Sequence, residues 1–162
     1  MPYPKKPIHL VVLTHGLHSN TGADMFYFKD QIDAIAKETG ENMIVRGFHE
    51  NVCRTEKGVQ YLGTQLAKYV AQLLKDERIE KISFVGHSLG GVVQVFAVTY
   101  IQIKCPWLFK RVKPVNFIAL ASPFLGIVTD NPAYVKAALM FGVVGKTGQD
   151  LGLEGDEPLL KR

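Results

Sequence analysis

A chain of 162 residues, 47% hydrophobic and 21% charged, has the length and balance of one globular domain with a sizeable buried core. Its net charge of +4 is mild and its lysines are spread along the chain, which argues against the concentrated basic stripes of a nucleic-acid binder. Cys53 and Cys105 stand far apart with no C-x-x-C spacing, so neither a zinc site nor a disulfide scaffold is expected, and no run approaches the roughly 18 consecutive apolar residues of a membrane span.

Residues 1–7 hold three prolines and read as an extended lead-in without the apolar stretch of a signal peptide. With two isolated cysteines, this sets the expectation of a cytoplasmic domain. Ile8-His9-Leu10-Val11-Val12-Leu13 is a nearly continuous β-branched and apolar run, the mark of a strand covered on both faces. It ends in Thr14-His15-Gly16-Leu17-His18-Ser19-Asn20, and a buried parallel strand leaving into a polar, glycine-containing loop is where α/β sheets place ligand chemistry. Met25, Phe28, Ile32, Ile35 and Ala36 predict a helix over 24–38 that stops at Thr39-Gly40. A short strand over 42–48 leaves into the polar loop 49–58. Val59, Leu62, Leu66, Tyr69, Val70, Leu73 and Leu74 then mark an amphipathic helix ending near Lys75-Asp76-Glu77.

Ile82 to Val85 is a further strand, and Gly86-His87-Ser88-Leu89-Gly90-Gly91 follows it directly. A helix predicted over 89–103 comes next, apolar around most of its girth and so expected to be buried. Strand, Gly-x-Ser-x-Gly, helix is the order a nucleophile elbow requires, because the turn is too tight for side chains on the residues flanking the serine. The helix N-terminus beneath Ser88 favours developing negative charge. A purely structural turn is the competing reading. Trp107, Leu108 and Phe109 lie beside Lys104, Lys110, Arg111 and Lys113, a mix that suits an anionic membrane surface or an ordinary surface loop. Residues 115–120 form a fourth strand leaving into Ala121-Ser122-Pro123, so β-α-β-α-β-α-β predicts a mostly parallel sheet with flanking helices. Residues 127–162 fit less well: 132–144 reads as a packed helix or a lid, and Gly142, Gly145, Gly148, Gly152 and Gly155 interrupt any long element.

A serine hydroxyl needs a positioned base, usually a histidine oriented by a carboxylate. The carboxylates after Ser88 are Asp130, Asp150, Glu154, Asp156 and Glu157, but all five histidines, His9, His15, His18, His49 and His87, precede the serine. His87 points away from its neighbour at such a turn, and His15 reads as a loop-shaping residue; His18 and His49 lie in carboxyl-edge loops within potential reach of Ser88, with a solvated loop histidine the plainer reading of each. The simplest expectation is that the chain is incomplete at its C-terminus and that two further strands would carry acid and base. The oxyanion donors are legible without them: the backbone N–H of Leu89, directly after the nucleophile, and a second N–H from the first strand-end loop, with Leu17 the best candidate and a plain turn at His15-Gly16 the competing reading.

The stretches Val11-Val-Leu-Thr-His15-Gly16-Leu17, Gly58-Val-Gln-Tyr-Leu-Gly63, Phe84-Val-Gly86-His-Ser88-Leu-Gly90-Gly91 and Phe117-Ile-Ala-Leu-Ala121-Ser122-Pro123 resemble the serine esterase family of lipase-like α/β-hydrolases. Gly145-Lys-Thr-Gly-Gln-Asp-Leu and Glu157-Pro-Leu-Leu are similar to it as well. Members of that family include fungal proteins similar to lipid-droplet phospholipases. The resemblance implies an α/β-hydrolase fold and hydrolysis of lipid esters, with Ser88 as nucleophile and Leu17 and Leu89 as oxyanion donors. No metal or organic cofactor and no nucleic-acid partner is expected; a lipid ester is the expected substrate, with peripheral contact at a membrane or lipid-droplet surface. The competing readings are a catalytically inactive hydrolase-fold module and, more distantly, a nucleotide-binding α/β domain. The latter is disfavoured because Gly86 to Gly91 lacks both G-x-G-x-x-G and P-loop spacing.

Overall fold

The apolar run near the N-terminus forms β1 (Ile8–Thr14), one of the two inner strands of the sheet. A computed structural model describes residues 6–17, 21–127 and 145–152. After β1 come α1 (Thr21–Thr39), β2 (Met43–Gly47), α2 (Val59–Leu73), β3 (Ile79–His87), α3 (Leu89–Lys104), α4 (Pro106–Arg111), β4 (Lys113–Leu120) and α5 (Gly145–Gly152). The strands make one parallel sheet in the order β2-β1-β3-β4. Gly40, at φ 70°, ends α1 where the sequence places its stop.

Alternation along β1 sorts the core into two layers, because successive side chains point to opposite faces. Ile8, Leu10 and Val12 join Ile82 and Phe84 of β3 against Leu62, Leu66 and Val70 of α2 and Val92, Val93 and Ala97 of α3. On the other face, Val11, Leu13, Val45 and Val85 pack with Met25, Phe28 and Ile32 of α1. Registers Leu10↔Ile82 and Leu13↔Val85 keep each set on its own face.

Three expectations change. First, α3 is not buried all round: Val95 and Ile103 are exposed, because α2 and the sheet cover only part of its girth. Secondly, the expected loop between α3 and β4 contains the short helix α4, with Pro106 at its first turn and Leu108 docked in the core. Thirdly, the glycine-rich 145–152 stretch does form a helix. Tertiary bonds offset its poor propensity: Thr147 Oγ1 donates to the Thr55 carbonyl (2.6 Å) and accepts from the Gly58 N–H (2.8 Å), while Asp150 Oδ2 accepts from the Val59 N–H (2.8 Å). Side chains from α5 therefore cap the start of α2, which lacks a cap of its own. The 132–144 helix or lid lies outside the described residues.

Candidate functional site around Ser88

Ser88 sits between the last residue of β3 and the first of α3 with φ 52° and ψ −124°. Such a conformation is sparsely populated by residues with side chains and persists only where the surroundings over-determine it. Here the surroundings are three strand ends. The Ser88 N–H donates to the Leu120 carbonyl of β4 (2.8 Å), and its carbonyl accepts from Gly91 N–H (3.2 Å). On the β1 side, a Cβ on Gly90 would lie 2.1 Å from the Thr14 carbonyl oxygen, and one on Gly16 would lie 3.2 Å from the Ser88 Cβ. A Cβ on Gly86 would meet the Gly91 backbone nitrogen at 2.6 Å. The turn thus admits no side chain at Gly86 or Gly90, for a reason that belongs to packing.

Serine at a helix N-cap normally spends its oxygen on the second or third backbone N–H of the helix. Ser88 makes no such side-chain bond. Its hydroxyl is left available at the N-terminal end of α3, where aligned peptide dipoles favour an anion. Leu89, the next residue, is buried and supplies the first N–H of the helix. Leu17 is half-buried against the main core in the turn after β1, directly following the Gly16 that touches Ser88.

The histidines divide as follows. His15 is buried with Nδ1 2.9 Å from the Gly16 carbonyl, so it braces the loop, and its Nε2 meets no partner among the described residues. His87 is half-buried, its Nδ1 likewise unpartnered among them, and it lies near Gly16. His49 is exposed in the loop after β2, and His9 pairs with Ser83 inside the sheet (2.8 Å). His18 lies outside the described residues. Among the described residues, no imidazole or carboxylate is hydrogen-bonded to the Ser88 hydroxyl. Asp150 is occupied at the start of α2, and Asp130, Glu154, Asp156 and Glu157 lie outside the described residues.

One positioning residue escaped the sequence reading. Gln94, fully buried on α3, shares the two protons of Nε2 among the Val12 carbonyl (3.2 Å), the Thr14 hydroxyl (2.9 Å) and the Val85 carbonyl (3.1 Å). It ties α3 to the ends of β1 and β3, the two strands that flank the turn. The available signal was a lone amide in the otherwise apolar run Val92-Val93-Gln94-Val95-Phe96. Beside the same edge, a cavity of about 390 Å³ is lined by Leu13, Met25, Phe26, Val45, Gly47 and Tyr69, among others. A larger one, of about 530 Å³, lies around Lys6, Gly40, Asn42 and Arg78 at the opposite end of the sheet, away from Ser88.

Comparison with known proteins gives the family and the fold. The chain is 62% identical over 162 residues to the Saccharomyces cerevisiae protein described as "Putative lipase ROG1", covering 97% of this chain and 24% of that protein. It is 51% identical to the yeast "Putative lipase YDL109C" (94% of this chain, 24% of that protein). With the Schizosaccharomyces pombe "Putative lipase C4A8.10" it shares 45% identity (94% and 21%). The chain therefore spans about a quarter of the length of these relatives. Its fold is similar to part of the Bacillus licheniformis lipase BlEst2, solved in its propeptide form: TM-score 0.58 at 20% identity, over 94% of this chain and 31% of that one. The parallel sheet with flanking helices is accordingly an α/β-hydrolase architecture. Residues 4–161 match the family described as "Putative serine esterase (DUF676)", and the chain belongs to it.

Proposed function

We propose that Ser88 is the nucleophile of a cytoplasmic serine esterase that cleaves carboxylic esters of lipids, phospholipids or acylglycerols, at a membrane or lipid-droplet surface. The observation that carries this reading is the Ser88 backbone at φ 52°, ψ −124°, which leaves the hydroxyl uncapped at a helix N-terminus. Ser88 Oγ attacks the ester carbonyl carbon as a base removes its proton. The oxyanion is received by the N–H groups of Leu89 and Leu17, a type of interaction typically worth about 3 kcal/mol per donor. Collapse expels the alcohol, which takes the proton from the base, and water then releases the acid from the acyl-enzyme. The cavity beside β1 and β2, mainly apolar but lined also by Lys29, Arg46 and His49, is in this reading the place for the hydrocarbon chain of the acyl group. In this reading the base and its carboxylate come from strands added beside β4, and the greater length of the relatives leaves room for them.

Labelling with a serine-directed fluorophosphonate tests the assignment. The protein expressed in full from its natural gene is expected to be labelled, its Ser88→Ala variant unlabelled, and residues 1–162 alone labelled weakly. Absence of labelling in the full wild-type protein would instead favour a hydrolase-fold module that binds lipid or protein without turnover.

A further inference from the structure

The aromatic and basic residues that follow α3 are not near Ser88. At about 1.5 Å per residue, the 16 residues of α3 span about 24 Å, so its N-terminal serine and its C-terminal lysine mark opposite poles. The pole away from Ser88 carries two large exposed apolar side chains, Trp107 at 60% and Ile103 at 69% exposure. Trp107 is held on a fixed platform, since Leu108 beside it is buried and Arg111 donates to the Leu74 carbonyl. It forms one wall of an apolar groove of about 390 Å³ with Ala71, Leu74, Cys105 and Leu108; the charged residues lining that groove are Lys75, Glu77 and Arg111.

Cations surround this apolar feature. Lys104, Lys110 and Lys113 are exposed, and Lys113 stands in register with exposed Lys81 on the neighbouring strand. Like charges directly opposite on paired strands repel, and an external anion relieves that repulsion. The acids at this end are Glu41, Glu77, Glu80 and Asp76; Glu41 lies across the sheet beside β2, and Asp76 is already held by Arg78 at 2.6 Å. An exposed tryptophan ringed by lysines matches the headgroup boundary of a bilayer, where the indole sits among headgroups and cations meet anionic lipid.

We infer that this pole, centred on Trp107 and Ile103, is a docking surface for an anionic lipid bilayer. Being opposite the serine, it tethers the protein to one bilayer, while the Ser88 edge faces away from it and meets lipid presented by another surface, so docking and turnover use different faces. The inference does not depend on esterase activity, so the Ser88→Ala chain binds equally.

Trp107 is the only tryptophan among residues 1–162, and in the protein expressed in full from its natural gene the emission lost in a Trp107→Phe variant reports this surface alone. Vesicles of phosphatidylcholine mixed with phosphatidylserine are expected to shift that emission to the blue, and brominated acyl chains to quench it. Vesicles of phosphatidylcholine alone are expected to do neither. Lys104→Gln and Lys110→Gln each weaken binding about fivefold, and raised salt reverses it. Both lysines are exposed, and circular dichroism checks that the fold is kept. Unchanged emission with the anionic vesicles at low salt overturns the proposal. An equal shift with phosphatidylcholine alone, or one insensitive to the lysine substitutions, overturns it too.

Discussion

At Gly90 a single missing methyl group decides whether β1 and α3 can meet. An alanine Cβ there would fall 2.1 Å from the backbone oxygen of Thr14, and backbone has no rotamer into which to retreat. Gly90→Ala is therefore expected to destabilise by about 3 kcal/mol, the upper range for overpacking, read from the urea midpoint. Gly40 provides the contrast. It has φ 70° with nothing within 4 Å of a built Cβ, so Gly40→Ala is expected to cost only the left-handed backbone penalty of about 1 kcal/mol. Equal effects at the two glycines would remove the packing argument for the turn. Gly16 is gentler, with its built Cβ 3.2 Å from that of Ser88. Gly16→Ala is expected to leave stability nearly unchanged yet slow fluorophosphonate labelling of the full-length protein about tenfold, because it displaces the loop that carries Leu17.

Between elements, the bonds that matter join segments distant in the chain. Asp150→Ala removes the carboxylate that caps α2 and is expected to cost about 1–2 kcal/mol, with labelling of Ser88 preserved. Lost labelling at full stability would identify Asp150 as the triad acid instead. His9 makes a second cross-element tie. Its Nε2 lies 2.8 Å from Ser83 Oγ, which also accepts the Asn116 N–H (3.2 Å) where β4 shifts register beside Pro114. Burial, and then the charge of Lys81, push His9 below its ordinary value near 6.5, with Glu41 opposing. The unfolded chain thus takes up a proton more readily than the folded one. This share of stability is complete above about pH 6.5 and is lost as pH falls through the lower folded value. The melting temperature should fall less on acidification in His9→Gln than in wild type. The strands and long helices were legible because hydrophobic period follows local geometry: Ile8 to Leu13 could hardly be anything but a buried strand. Asp150, Thr147 and Gln94 were not legible as caps and ties. Their partners, at Val59, Thr55 and Val12, are many residues away, and no local pattern encodes that distance. The elbow at Ser88 stood out because its glycines are dictated by the turn itself, whereas the residues that would activate the serine leave no such mark.

As a whole, the sheet has two edge strands among the described residues, β2 and β4, and β4 is the barer of the two. Val115, Phe117 and Ile118 of β4 are all more than 40% exposed, so both faces of this strand lack cover among the described residues. An uncovered strand edge templates pairing with another chain. Residues 1–162 alone are expected to self-associate with rising concentration, and Ile118→Lys to suppress this in light scattering without lowering the melting temperature. A monomeric wild-type chain at high concentration would contradict that. The strand order β2-β1-β3-β4 also has a consequence in time. β1 is translated first, yet its central partner β3 emerges only after α1, β2 and α2 have been made. Until Ile82 reaches Leu10, one side of the most apolar strand is unpaired. Loop closure must precede the reward of parallel pairing, so folding is expected to be slow and the nascent chain to need shelter on the ribosome until β3 appears.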